Sequence, residues 1–239
     1  MSSYFQNFPK IEYDVFNNGK PINVVDIFRA VRLKKNIRDD ILLYNYYTIQ
    51  DGERPDHVSL KLYGSIEYYW TFFMINENLV NSFTDWPLSN DELINLIHRK
   101  YAGIVMSTDS DISNKFQKGE TLQGLVSGAT CTIDEKDTNL GLIKISNVNG
   151  VFKEAEIIRG SSTNDTITLS GISDFSDAVH HFEDANGDVT MKSVNATPIS
   201  NSEYEYRLND SKTRIRVIRR EYIRKLSEEF YKQINPEAQ

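Results

Sequence analysis

Two histidines and three acidic residues lie within the ten residues from Val179 to Asp188. Imidazole nitrogens and carboxylate oxygens bind metal ions, so His180, His181 and Glu183 are candidates for a metal-dependent hydrolase. Adjacent residues on a strand point to opposite faces, which separates His180 from His181 unless the chain bends. The pattern therefore favours structural side chains on a strand, with a metal site as the alternative.

The same run contains the beginning of a calcium-loop pattern. Asp184 and Asn186 have the spacing of the first two ligands of an EF-hand. Gly187 comes two positions too early for that loop, and Asn195 stands where its bidentate glutamate belongs. Because Asn-Gly between alternating runs signals a hairpin, we predict a structural turn here and no metal ion.

The rest of the sequence has no recognisable catalytic motif. A Gly-x-Ser-x-Gly elbow, a Walker loop, a His-Glu-x-x-His helix and a dinucleotide glycine fingerprint are all absent. His57 and His98 fall within predicted helices without a nearby nucleophile. The single cysteine, Cys131, excludes an internal disulfide and a cysteine-based zinc site, and its alternating surroundings predict a buried strand position. We therefore predict that the protein is not an enzyme and has no cofactor.

Aromatic and charged residues divide the chain into two parts. Of the 27 aromatic residues only four lie between Val105 and Ser202, a segment that holds 14 Asp/Glu against 7 Lys/Arg. The composition predicts a scaffold domain, 1–104 plus 203–239, interrupted by an acidic domain, 105–202. No Lys/Arg-rich domain exists, so no nucleic-acid partner is expected. No stretch approaches 18 apolar residues, so neither a signal peptide nor a membrane span is expected.

The first flank shows the signals of short helices and one strand. Apolar spacing predicts an amphipathic helix over Val24–Val31, and β-branched and aromatic residues predict a strand over Ile41–Ile49. A proline in the first turn predicts a helix over 54–64, and an N-cap serine predicts another over 66–76. A Ser-x-x-Glu capping box precedes a third helix that ends near Tyr101. The 66–76 helix is so apolar that it must be largely buried.

Short alternating runs separated by glycine fill the middle segment, which indicates a small antiparallel barrel or sandwich. A weak repeat with an offset of 36 residues supports paired hairpins: Phe116-x-x-Gly119-Glu120-x-Leu122-x-Gly124 and Phe152-x-x-Ala155-Glu156-x-Ile158-x-Gly160. Beyond this segment, Thr213–Ile218 alternates as a strand with one basic and one apolar face. Arg220–Ile234 then shows the apolar stripe of a C-terminal helix.

One stretch of the first flank resembles a LysM module. It consists of Tyr46–Ser65, followed by Tyr69-Trp70 and by Asn76-Glu77-Asn78. The resemblance implies a strand, an acidic-Gly turn, two short helices and a terminal Asn ahead of a closing strand. It also implies the usual ligand of that family, an N-acetylglucosamine polymer bound in a shallow groove beside the turn and the second helix.

A second resemblance covers both flanks. Its motifs, in order, are Pro9-Lys10-Ile11-Glu12-Tyr13, Val25-Asp26-Ile27-Phe28-Arg29, Leu62-Tyr63-Gly64 with Tyr69-Trp70 and Asn76, and Ile223-x-x-Leu226 to Glu229-Phe230. Together they resemble the LysM-containing baseplate wedge proteins of contractile-tailed bacteriophages. The resemblance implies that a LysM-like fold serves as a structural clamp between neighbouring wedges and does not read a sugar.

The resulting prediction is an α+β protein, in which a LysM-like domain carries an inserted small antiparallel β-barrel or sandwich and a C-terminal helix. The resemblance implies a virion protein of the tail baseplate, assembled in the host cytoplasm. It also implies partners: other baseplate wedge proteins and the sheath-initiating tail protein, with several copies in a ring-like assembly and no membrane. A peptidoglycan- or chitin-binding module that assists cell-wall attachment is the alternative.

The predicted interface lies on the aromatic helix, the last strand and the C-terminal helix. The sequence allows two partners for the aromatic rings equally, a partner chain and the chain's own C-terminal helix. The candidate interface residues are Tyr68, Tyr69, Trp70, Phe73, Arg216, Arg220, Ile223 and Phe230.

Overall fold

The fold class is α+β, as predicted. The chain divides into two compact units, a first unit of 1–90 together with 209–239 and a second unit of 91–208. The composition placed the corresponding boundaries at 105 and 202. The computed structural model describes residues 3–5, 8–29, 40–82 and 84–235.

The described part of the chain forms fourteen strands and five helices. The strands are β1 Lys10–Tyr13, β2 Ile22–Val25, β3 Tyr44–Thr48, β4 Ile104–Ser107, β5 Thr121–Gly124, β6 Thr130–Asp137, β7 Leu142–Asn149, β8 Ile157–Gly160, β9 Thr166–Thr168, β10 Gly171–Asp174, β11 Val179–Glu183, β12 Val189–Thr190, β13 Thr197–Ser200 and β14 Arg214–Ile218. The helices are α1 Pro55–Tyr63, α2 Trp70–Ile75, α3 Asn90–Lys100, α4 Asn201–Asp210 and α5 Arg220–Ile234. There are also 3₁₀ turns at Ser3–Phe5, Ile41–Leu43 and Ile66–Tyr68.

The helix signals of the sequence act as predicted at α1 and α2. Pro55 is the first residue of α1, and Gly64 ends the helix in the left-handed conformation, with a φ of 77°. Glycine suits this position because it adopts a positive φ without a Cβ clash. The hydroxyl of Ser65 accepts a hydrogen bond from the backbone N–H of Glu67 at 3.2 Å, so it caps the 3₁₀ turn that leads into α2.

The predicted helix over Val24–Val31 is wrong in its described part. Val24 and Val25 belong to strand β2, which pairs with β1. A turn follows the strand, and residues 30–39 lie outside the described residues. Two adjacent β-branched residues fit a pleated strand, and this preference together with cross-strand pairing outweighs a helix-like spacing of apolar residues.

The first unit is built around the antiparallel strand pair β3–β14. Strand β3 comes from the predicted strand Ile41–Ile49, whose first three residues form a 3₁₀ turn instead. Helices α1, α2 and α5 pack on this pair, and buried apolar side chains hold the elements together because each contributes about 1.5–3 kcal/mol. The core side chains include Tyr44, Val58, Tyr63, Phe72, Ile75, Ile215, Val217 and Ile223.

Asn76 connects the end of α2 to strand β14. Its Nδ2 donates to the carbonyl of Arg216 at 2.9 Å, and its Oδ1 accepts the Arg216 backbone N–H at 2.8 Å. Nδ2 also donates to the carbonyl of Phe72 at 2.8 Å. The buried amide thus acts as an additional strand neighbour, and it fixes a strand that lies 140 residues further along the chain.

The second unit contains two antiparallel sheets. The larger sheet has the strand order β10-β4-β7-β6-β5-β8-β9, and the smaller one has the order β12-β11-β13. The larger sheet curls into a half-barrel, so the predicted antiparallel β-structure is present. Its core includes Met106, Leu122, Ile133, Ile143 and Ile158.

Helices α3 and α4 are joined within this unit by Glu205. Its carboxylate oxygen Oε1 accepts hydrogen bonds from Lys100 Nζ at 2.6 Å and from the Tyr101 hydroxyl at 2.9 Å. The side chain is only 4% exposed, and a buried carboxylate requires such donors. The composition placed both helices in the scaffold domain. Composition does not reveal a contact such as that of Lys100 with Glu205, which lie 105 positions apart.

The two copies of the 36-residue repeat form two turns, and the glutamate of each copy accepts hydrogen bonds from the backbone of the other. Oε1 of Glu120 accepts the backbone N–H groups of Ser162 and Thr163, each at 2.8 Å, and Oε2 accepts that of Gln117 at 2.9 Å. Burial acts to raise the pKa of Glu120, but these donors together outweigh burial and lower the pKa. The carboxylate is therefore a charged structural group.

Glu156 repeats the arrangement in the opposite direction. Its Oε2 accepts the backbone N–H groups of Val126 at 3.2 Å and Ser127 at 3.0 Å, and its Oε1 accepts that of Lys153 at 2.6 Å. The pKa of Glu156 is also lowered, against the effect of burial. Because β5 and β8 pair antiparallel, an approximate two-fold rotation relates the two turns.

Candidate assembly interface

Three of the eight predicted interface residues are buried inside the first unit. Trp70 and Phe230 pack with their ring centroids 4.3 Å apart, and each side chain is 6% exposed. Ile223 is 4% exposed and belongs to the core around β3 and β14. The chain's own C-terminal helix therefore covers the aromatic helix α2, so these three side chains offer little surface to a partner.

Three further candidates are half-buried aromatic residues. The ring of Tyr68 makes an edge contact with Tyr63 at 5.8 Å, and the ring of Phe73 lies 5.7 Å from that of Trp86. Tyr69 packs against the cluster that contains Trp70 and Phe230. Each ring keeps part of its area at the surface, so a contact through these residues stays a prediction.

Strands β3 and β14 place two arginines over two tyrosines. The guanidinium carbon of Arg216 lies 5.5 Å from the ring centroid of Tyr44, and that of Arg214 lies 4.8 Å from the ring centroid of Tyr46. We term these four residues the arginine–tyrosine ladder. The inner arginine is fixed, since the Arg216 guanidinium donates to the carbonyl of Ile75 at 2.9 Å. The outer pair is exposed, with Tyr46 at 64%.

The interface residues predicted from the sequence include Arg216 but neither Tyr46 nor Arg214. The alternation of Thr213–Ile218 did predict a strand with a basic face, and that face is one side of the ladder. The stacking partners belong to a strand near the other end of the chain, which alternation alone does not identify. Arg220, the other predicted arginine, is exposed at the first position of α5.

The hairpin β1–β2 carries an exposed apolar face. Cross-strand pairs place Ile11 beside Val24 and Tyr13 beside Ile22, all on one face. Ile11, Tyr13 and Ile22 are 40%, 59% and 45% exposed. We term these four residues the apolar ribbon. The side chains of the opposite face are mainly polar: Lys10, Glu12 and Asn23.

Asp14 stabilises the turn between β1 and β2. Its carboxylate accepts the backbone N–H groups of Asn18 at 3.1 Å and Gly19 at 2.6 Å. These backbone donors, that of Asn18 foremost, lower the pKa of Asp14. Phe16 in the same turn adds a ring that is 72% exposed. The hairpin is thus an ordered element with an apolar surface, and such surfaces mark interaction sites.

The family comparison covers the ribbon and half of the ladder. Residues 3–127 match the profile of a phage family described as Base plate wedge protein 53. The chain belongs to the base plate wedge protein 53 family. It is therefore a structural protein of the phage tail baseplate, which confirms the wedge-protein resemblance, whereas the LysM-like feature stays a prediction. No curated protein matches the chain.

The family match includes the apolar ribbon, Tyr44 and Tyr46, while Arg214 and Arg216 lie beyond its last residue. The structural role thus rests on the part of the chain that presents the ribbon. Of the helices in the described residues, none combines the length and the apolar character that crossing a membrane requires.

The histidine pair that suggested a metal site lies on a β-bulge. A register shift between Val179 and His181 bends β11, so the Nδ1 atoms of His180 and His181 lie only 2.9 Å apart. Glu183 does not face this point, because its Oε1 lies 3.1 Å from the other ring nitrogen, Nε2 of His181. Within the described ranges, no three His, Cys, Asp or Glu side chains are grouped to hold a metal ion.

Helix α4 packs against the histidine pair. The ring of Tyr204 stacks on that of His180 with centroids 3.9 Å apart, and Arg207 donates to Glu183 at 2.8 Å. Burial, followed by the neighbouring His181 and Lys100, lowers the pKa of His180, which favours its neutral ring. The cluster therefore links β11 to α4, a structural role.

The calcium-like run forms the turn between β11 and β12. Oδ1 of Asp184 accepts the backbone N–H groups of Asn186 at 2.8 Å and Asp188 at 3.0 Å. Gly187 adopts a φ of 86°, which a hairpin turn requires at this point. The carboxylate is used by its own loop, in agreement with the turn predicted from the Asn-Gly pair.

Proposed function

We propose that this chain joins neighbouring wedge subunits of the baseplate and that the apolar ribbon carries the main contact. The supporting observation is the ribbon itself, a face of four apolar side chains, three of them exposed, within the residues that match the family. A two-stranded hairpin is only marginally stable in water. Covering apolar surface contributes about 25 cal/mol per Å², so a partner that covers the ribbon stabilises both the hairpin and the joint.

The partners that fit this surface are other wedge proteins and the sheath-initiating protein of a contractile tail. Copies of the chain take equivalent positions around a ring-like baseplate, which assembles in the host cytoplasm before the virion is complete. Tyr13 and Phe16 are the expected anchors, because large exposed rings that enter a partner's pocket dominate interface energies.

The test replaces Ile11 and Tyr13 together by serine in a phage that has no other copy of the chain. We expect incorporation into purified baseplates to fall about tenfold or more, because the expected anchor Tyr13 and its apolar neighbour Ile11 are both lost. Stability of the first unit should change by no more than about 0.5 kcal/mol, because both side chains are exposed. Immunoblotting of tail particles measures incorporation.

The matched control is Val151→Ser, which removes an apolar side chain that is 85% exposed in the second unit. This variant should assemble like the unchanged chain. Normal incorporation of the Ile11→Ser, Tyr13→Ser variant contradicts the proposed joint.

A glycan-binding module is the second candidate function. Strand β3, helices α1 and α2 and strand β14 follow one another as strand, helix, helix and strand, and the two strands pair antiparallel. This is the order that the LysM resemblance implies, except that the closing strand comes only after the second unit. Asn76 at the end of α2 fixes that strand. The arrangement supports a LysM-like scaffold.

Calorimetric titration of the purified chain with chitin oligomers separates the two functions. We expect no saturable binding at micromolar concentrations, because a joint between proteins needs no sugar contact. Saturable binding in that range favours a glycan-binding module and contradicts a purely structural role.

A further inference from the structure

The two units of one chain have different charge balances. The first unit has 17 Lys/Arg and 16 Asp/Glu, whereas the second has 10 Lys/Arg and 18 Asp/Glu. Within the first unit, basic residues concentrate in 209–235, which holds 8 Lys/Arg against 4 Asp/Glu. This segment contains β14 and therefore the basic side of the arginine–tyrosine ladder. One sequence thus carries two surfaces of complementary charge.

The outer end of the ladder is suited to a carboxylate. The guanidinium carbon of Arg214 lies 4.8 Å from the ring centroid of Tyr46, and this cation–π contact holds the guanidinium at the exposed end of the ladder. Among the described residues, no carboxylate forms an ion pair with Arg214. Arg224, by contrast, pairs with Glu228 at 3.1 Å on its own helix. An oriented guanidinium with unused donors binds a carboxylate through two parallel hydrogen bonds.

We propose that Tyr46 and Arg214 form a docking site for carboxylates on the second unit of a neighbouring copy of this chain. The inference rests on the proposed function, because it adds a contact between copies to a joint between wedge subunits. Each copy carries both the ladder and the acidic unit. We propose a head-to-tail contact, because such a contact repeats from copy to copy and closes into a ring, as a joint between wedge subunits requires.

Exposed carboxylates are available on the second unit for this contact. Asp174 and Asp177 are exposed in one turn, where the backbone N–H of Asp177 donates to the carbonyl of Asp174 at 3.0 Å. Glu135 and Glu154 are also exposed. A nucleic-acid phosphate is a poorer occupant, because a chain with a net charge of −7 repels a polyanion.

Sedimentation velocity of the full chain tests the docking site. We expect reversible self-association at about 0.02 M salt that weakens at about 0.3 M, because screening shortens the range of charge pairs. Arg214→Glu should weaken the association constant about tenfold or more, because it places a carboxylate against carboxylates. Tyr46→Ala should weaken it about threefold, because the guanidinium loses its support.

The control is Lys225→Glu, which makes the same charge change at an exposed position of α5 and should alter the association constant by less than about twofold. A chain that stays monomeric at both salt concentrations overturns the docking site. So does equal weakening by Arg214→Glu and Lys225→Glu, since this result reports net charge alone.

Carbodiimide coupling of an Arg214→Lys variant, mixed as heavy- and normal-isotope copies, identifies the occupant. Coupling from position 214 to carboxylates within 91–208 of the other copy supports the proposal. Coupling only to carboxylates of the first unit, or no coupling, overturns it. The ribbon is tested by incorporation into baseplates and the ladder by self-association of the pure chain, so either proposal can fail alone.

Discussion

Replacing Glu120 by alanine is expected to lower the free energy of unfolding of the second unit by about 3 kcal/mol or more. The change removes the acceptor that the backbone N–H groups of Gln117, Ser162 and Thr163 share. A fully buried donor that loses its acceptor costs about 1–3 kcal/mol, and because these three hydrogen bonds are part-buried we take about 1 kcal/mol for each. Glu120 is only 4% exposed, so the site admits little water to replace the carboxylate.

Glu156→Ala is expected to have an effect of similar size, because its carboxylate serves the equivalent turn. Gly124 provides the space for it: a Cβ at this position would lie 2.6 Å from Oε2 of Glu156. Amide hydrogen exchange in β5 and β8 measures both losses. Glu154→Ala, at an exposed position in the same turn region, is the control and should stay within about 0.5 kcal/mol. Equal protection in Glu120→Ala and Glu154→Ala would show that Glu120 does not hold the turn.

The same two glutamates make the second unit sensitive to acid. Their pKa values in the folded chain lie below the ordinary value of 4.5, so the unfolded chain takes up these protons at a higher pH than the folded chain. Their stabilising effect is present above the ordinary value and is lost as the pH falls through the folded pKa. Glu120→Gln combined with Glu156→Gln should show a shallower loss of stability in acid, because amides do not titrate there.

The repeat could be recognised from the sequence, but the hydrogen bonds of each glutamate to the other turn could not. The matched spacing of Gly119-Glu120 and Ala155-Glu156 predicted two equivalent hairpins, because spacing is a local property. The turn that receives each carboxylate is set by the pairing of β5 with β8, and strand register is a long-range property. For the same reason the ladder was missed, since Tyr46 and Arg214 meet only when β3 pairs with β14.

The local signals differed in how well they predicted structure. The caps at Gly64 and Ser65 were predictable, because a cap involves only residues a few positions apart. The apolar spacing at Val24 predicted a helix, and this prediction failed because pairing with β1 makes the segment a strand. The apolar ribbon depends on that pairing, so it could not be predicted from the sequence.

Phe230→Ala is expected to lower the free energy of unfolding of the first unit by roughly 3–5 kcal/mol. The ring packs on Trp70 at 4.3 Å and on Tyr4 at 5.9 Å, both measured between centroids. Its removal leaves a cavity between α2, α5 and the N-terminal 3₁₀ turn, because the surrounding side chains relax only partially into the space of a lost ring. Phe8 and Ile234 lose packing partners in the same cluster.

Tryptophan fluorescence reports on this unit alone, because both tryptophans, Trp70 and Trp86, belong to it. Denaturant unfolding followed by this signal measures the loss. Phe230→Leu should cost less than about 1.5 kcal/mol, because it keeps most of the buried volume. Tyr222→Ala changes a ring that is 40% exposed on the same helix and should stay within about 0.5 kcal/mol.

The outcome decides between two roles for the aromatic helix α2. If Trp70 and Phe230 served mainly as contacts for a partner, Phe230→Ala would leave the free chain stable and reduce incorporation alone. Because α5 covers α2, we expect stability and incorporation to fall together and both to recover in Phe230→Leu. Deletion from Tyr222 onward does not separate the two roles, because it also removes the buried Ile223 and Ile234. Only changes that spare this core, such as those in the ribbon and the ladder, measure assembly itself.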